Sequence, residues 1–280
     1  MSTDLIIVPP PRGRKERLLG LIPFQGLLRQ RWQILFLIRK EFFASNRNSI
    51  FSTFWSLAIP LVPITAYIIL RSVVSGSAGE DGIHPMVYVT LGVTLWMLFK
   101  DMVVIPVQSV TRYSNTIAQT ELSIGGAILV GFGGILVATA LRLALCIPVV
   151  LLTTDLTMSD LPTTGMYLGV GILFFFSFGL MSVPLTALFP DLRNIYNTIF
   201  SYLIFFSLAI FPFSNDTRLT SVIRYNPFAV FIDSTRMALL NGEVPMHDIG
   251  KWLIYATPAL LLFAMFIIQR THMRLKEAFL

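Results

Sequence analysis

Long apolar stretches alternate with short polar ones along this chain, and the apolar stretches set its solvent. Six of them are long enough to cross a bilayer: residues 50–70, 86–107, 127–152, 166–189, 197–213 and 252–268. A helix of about 20 apolar residues matches a hydrocarbon core about 30 Å thick. Backbone in lipid must satisfy its own hydrogen bonds, so each stretch reads as an α-helix. The expected fold class is an all-α integral membrane protein with six transmembrane helices in one domain over residues 49–272, and a short tail over 273–280.

The polar stretches complete the pattern. Residues 26–48 read as an amphipathic interface helix, with Leu28, Trp32, Leu35, Ile38 and Phe42 on one side and Arg29, Gln33 and Lys40 on the other. Arg31 and Arg39 fall on the apolar side, where long basic side chains can snorkel. Residues 1–25 read as a flexible basic tail, with Pro9, Pro10 and Pro11 ahead of a cluster of bases. No apolar run of signal-peptide type occurs in the first 28 residues, so the first span is expected to direct insertion. Residues 214–250 are too charged to span and too apolar for a free loop. Two short re-entrant or interfacial helices broken at Asn226-Pro227 fit them, between the fifth and sixth spans. Asp233 and Arg236, three apart, can pair on one face there.

Charge gives the orientation. Lys and Arg favour the cytoplasmic side in short loops. Arg12, Arg14, Lys15, Arg17, Arg29, Arg31, Arg39, Lys40 and Arg47 precede the first span, and Arg270, Arg274 and Lys276 follow the last. The loop with Glu80 and Asp81 and the loop with Asp155 and Asp160 carry no base. Both termini are therefore expected to be cytoplasmic, which an even number of spans allows. Only 13% of residues are charged, and the net +6 is accounted for by topology rather than by a nucleic-acid partner.

Candidate chemistry is sparse. The one cysteine, Cys146, rules out an intrachain disulfide, and His84, His247 and His272 have no metal-ligand spacing. Glycines at 125, 126, 131, 133 and 134 and at 165, 169 and 171 read as close helix contacts; no Lys-Ser/Thr follows Gly131–Gly134 to make a phosphate loop. Pro106 is expected to bend the second span. Arg142, inside the third span, reads either as a substrate contact or as half of a structural pair. Tyr196 and Phe200 share a helix face, suited to stacking on sugars or to packing. The turn at Asp191 and Arg193 reads as a charged cytoplasmic loop or a helix N-cap.

The layout resembles the permease subunit of type-2 ABC exporters, in the branch that exports polysaccharide, O-antigen and teichoic acid. The resemblance covers residues 30–280. It rests on the amphipathic helix, Phe54-Trp55-Ser56-Leu57-Ala58-Ile59-Pro60, the six-span order, the Asp191-Leu192-Arg193-Asn194 turn, and Tyr225-Asn226-Pro227-Phe228 followed by Asp233, Arg236 and Asn241-Gly242. Residues 114–124 depart from the family, with no proline and no base where its members carry both. The resemblance implies a homodimer with two copies of a separate ATPase that binds ATP and Mg, no cofactor or enzymatic activity in this chain, and a cell inner membrane location. It also implies ATPase coupling through Arg112, Asp191 and Arg193, a substrate path past Arg142, Tyr196 and Phe200, and an external gate at Asn226, Pro227, Asp233 and Arg236. The implied cargo is a lipid-linked glycan. Two other readings stand beside it: a drug or lipid exporter of the same family, and a membrane-embedded lipid-modifying enzyme, for which Glu80-Asp81 is the best acid pair.

Overall fold

The computed structural model describes residues 27, 30–47, 65, 85–120, 122–153, 161–189, 191–210, 223, 225–240 and 248–279. All regular structure among them is helical: α1 (Arg31–Arg47), α2 (Pro85–Arg112), α3 (Ser114–Gln119), α4 (Ile124–Thr153), α5 (Leu161–Leu188), α6 (Leu192–Leu203) continued by a 3-10 turn (Ile204–Phe206), α7 (Pro227–Leu240) and α8 (Asp248–Phe279). The tail 1–25, the first apolar stretch except Thr65, the acidic loops at Glu80-Asp81 and Asp155–Asp160, and Asn241-Gly242 lie outside the described residues.

Among the described residues, four helices are long and apolar enough to cross a membrane: Met86–Arg112, Ile124–Ala144, Leu161–Leu188 and Ile249–Thr271. They match the second, third, fourth and sixth expected spans, and they make this a helical membrane protein. The fifth stretch differs. The helix over residues 192–203 tightens into a 3-10 turn and ends in turns and bends through residue 210, so it is not one continuous span to residue 213.

α2 packs against α4 and α5, and α5 packs in turn against α8. Glycines permit both contacts of α2. A Cβ on Gly131 of α4 would overlap the Ser109 hydroxyl and sit 2.6 Å from Cγ2 of Ile105. A Cβ on Gly179 of α5 would fall 2.5 Å from the Met102 carbonyl and 2.8 Å from Cγ of Pro106. Pro106 removes the amide that Met102 would otherwise receive, yet α2 continues through it to Arg112. Gly165 and Gly169 meet nothing within 4 Å, so those two do not pack within the described chain.

Contact order gives the directions. Gly171 meets Phe99 and Gly179 meets Met102, so α5 runs parallel to α2. Gly131 meets Ser109 and Arg142 meets Asp101, so α4 runs antiparallel to α2. Residues 167–175 of α5 share one apolar cluster with Leu253, Ile254 and Leu260 of α8, and Leu180 and Val183 share the next with Ala264 and Ile268. α8 is therefore parallel to α5, and the chain must return between them. α6 makes that climb: Tyr196 meets Ser182 near the end of α5, and Ala209 lies against Gly92 near the start of α2.

α1 lies along the first third of α4. Gln30 accepts from the Ser123 backbone and hydroxyl (3.2 and 3.0 Å), and Ile38 fills the space that Gly133 leaves. The expected apolar side of α1 is thereby split. Ile34 is buried and Ile38 packs inward, whereas Trp32 and Leu35 are exposed beside Phe36.

Candidate functional site

The end of α6 and the buried helix α7 form the most unusual arrangement in the molecule. α7 has 14 residues, about 21 Å of helix, too short to cross a hydrocarbon core. It begins beside Phe175, midway along α5, and ends beside Val87 and Leu91 at the start of α2. Asn226 caps it: Oδ1 accepts from the Phe228 amide (3.0 Å), and Pro227 occupies the first helical position, where its missing amide costs nothing. The other end of the same side chain reaches the broken helix, Nδ2 donating to the Phe206 carbonyl at 2.7 Å.

Arg236 makes the second link. Its side chain is fully buried, and its guanidinium donates to Oδ1 of Asp233 (2.6 Å) and to the Leu208 carbonyl (3.0 Å). The guanidinium carbon lies 3.4 Å from the centroid of the Tyr88 ring on α2, a cation–π contact. Nε has no hydrogen-bond partner among the described residues. Leu208 itself has φ 57°, the left-handed region that favours glycine. Asn226 and Arg236 thus supply donors to two carbonyls that the broken helix leaves open. Gly92 makes the arrangement possible, since any side chain there would strike the Ala209 carbonyl.

Beneath this clasp is an aromatic core. Phe175 packs on Phe228 (centroids 4.1 Å apart) and on Phe99 (5.0 Å), and Phe200 meets Phe228 edge-on at 5.9 Å. Such pairs fix the relative placement of helices beyond simple burial.

The expected site residues therefore do not form one site. Asn226, Pro227, Asp233 and Arg236 come together at the clasp. Tyr196 and Phe200 turn toward the bundle, where the Tyr196 hydroxyl donates to the Ser182 hydroxyl at 3.1 Å and Phe200 is buried among rings. Arg142 pairs with Asp101 of α2 at 3.5 Å, and Lys100 sits 3.3 Å from the same carboxylate and over the Trp96 ring. Arg112 is exposed at the end of α2. Asp191 is exposed and precedes α6 without a side-chain cap bond, so its N-cap role is carried by its carbonyl alone, which receives the Asn194 and Ile195 amides. The Arg193 side chain lies outside the described residues. Sequence reasoning missed Tyr88, Gly92 and Leu208. A lone glycine in an apolar span was the available signal for Gly92, whereas nothing in the sequence marks Leu208.

Among the described residues no group of three or more His, Cys, Asp or Glu side chains converges. No protein-family model matches this chain, and no curated protein matches it.

Proposed function

We propose that this chain is the transmembrane permease subunit of an ABC exporter in the cytoplasmic (inner) membrane, moving a lipid-linked polysaccharide or related cell-envelope glycan. In this reading two copies form a homodimer and join two copies of a cytoplasmic ATPase, which binds ATP and Mg. Both termini are cytoplasmic. Arg112, Asp191 and Arg193, at the cytoplasmic ends of α2 and α6, couple ATPase motion to the bundle. α7 and the residues before it are the re-entrant external gate.

One observation carries the reading: Asn226, Asp233 and Arg236, which the family resemblance groups on sequence alone, meet at the broken end of α6. A helix break held by side chains from a following buried helix is a hinge in form, since few contacts must change to move it. The test is purification of the full chain from its host's membranes, with bound partners identified by mass spectrometry. An ATPase recovered in equal amount is the expected result. Recovery of the chain alone, or with a glycosyl-transfer enzyme and no ATPase, overturns the exporter reading.

A further inference from the structure

α6 presents three faces, set by the 3.6-residue helical repeat. Tyr196, Phe200 and Ile204 face the bundle. Ile195, Ile199, Tyr202 and Phe206 form an exposed apolar face. Asn194, Asn197, Thr198 and Ser201 form a second exposed face, polar over these two turns and ended by the exposed Phe205. The centres of the two exposed faces lie about 120° apart around the helix.

The position of α6 makes this polar face informative. Tyr196 touches Ser182, and Phe200 reaches the ring stack around Phe175, midway along α5. Asn197 to Ser201 therefore run beside the inner half of a membrane-spanning helix, not on a loop outside it. Thr198 and Ser201 hydroxyls donate back to the Asn194 and Asn197 carbonyls (2.9 and 2.8 Å), which suits them to lipid or water alike. The two asparagine amides differ. An amide buried in an apolar medium without partners is destabilising. Lipid already has a suitable face on this helix, the Ile195–Phe206 side.

We infer that the Asn194–Asn197–Thr198–Ser201 face of α6 lines a water-filled path at membrane depth. This deepens the exporter reading and rests on it for the solute. Within the stripe the path offers amide donors and acceptors and hydroxyls but no charge, the chemistry that hydrogen-bonds a neutral, hydroxyl-rich chain. It also replaces Tyr196 and Phe200, which pack inward, as the path-facing side of the helix.

The test is cysteine accessibility in the full chain, in native membranes, on a Cys146→Ser background. Single cysteines at Asn194, Asn197, Thr198 and Ser201 are compared with cysteines at Ile195 and Ile199. The probe is a membrane-impermeant trimethylammonium-ethyl methanethiosulfonate, with and without Mg-ATP. The polar positions are expected to react at least tenfold faster than the apolar ones in one of the two conditions. Equal rates on both faces, or no reaction at Asn197 and Ser201 in either condition, overturn the inference. Efficient oxidant-driven disulfides between copies at those positions without labelling also overturn it, because the face is then a protein contact. Four positions are used so that one poorly folding variant does not decide the result. ATPase recovery is read on the same preparations: an accessible stripe without ATPase removes the exporter reading alone, and bound ATPase with an inaccessible stripe removes the path alone.

Discussion

At the residue scale, Arg236 is the most consequential side chain in the described structure. A fully buried cation is tolerated only with charge and hydrogen-bond partners, and it has Asp233, the Leu208 carbonyl and the Tyr88 ring. Removing one partner of such a pair leaves the other charge stranded. Asp233→Asn strands the fully buried Arg236 cation and is expected to cost about 3–5 kcal/mol, and Arg236→Met, which leaves only the partly exposed Asp233, less, about 1–3 kcal/mol. The double variant Asp233→Leu/Arg236→Met is expected to recover part of the loss, since neither charge remains. Thermal unfolding of the detergent-solubilised protein reads all three, and Arg236→Met melting like the parent refutes the clasp. Pairing of Asp233 with Arg236 was legible from their spacing of three. Their attachment to Leu208 was not, because the carbonyl lies 28 residues away in sequence.

At the element scale, apolar composition revealed four of the helices because length and hydropathy are local properties. The end of α6 was hidden for the opposite reason. Residues 204–210 contain no glycine or proline to announce a break. The backbone leaves the helix because Asn226, Arg236 and Gly92, all remote in sequence, satisfy or accommodate it. Glycine roles were only half legible, since composition cannot say which glycines have a neighbour. The contrast gives a prediction. Gly92→Ala forces the Ala209 backbone away and is expected to cost about 1–3 kcal/mol, the range usual for overpacking. Gly169→Ala meets only open space and is expected to stay within about 1 kcal/mol of the parent, with helix propensity in its favour. Paired melting curves decide it; equal effects of the two changes would falsify the packing of the broken segment on α2.

At the scale of the whole molecule, the directions of the helices constrain topology more tightly than the charge pattern does. α2, α5 and α8 run the same way, and α4 runs against them. Two parallel helices in succession, α5 and α8, require a crossing between them, and α6 with its broken end is the segment that climbs. The starts of α2, α5 and α8 therefore belong on one side of the membrane, and Arg112, α3 and Phe189 on the other. Basic residues concentrate toward the second side, the distribution expected of a cytoplasmic face under the proposed exporter reading. A short epitope inserted before Leu161 or before Asp248 is expected to be detected in intact spheroplasts. The same epitope after Gln119 is expected to need permeabilised membranes. An epitope before Asp248 that behaves like the one after Gln119 places α8 antiparallel to α5. In that arrangement α6 makes no crossing, the polar face of α6 has no membrane depth to line, and the pairing of the two apolar clusters along α5 and α8 loses its basis.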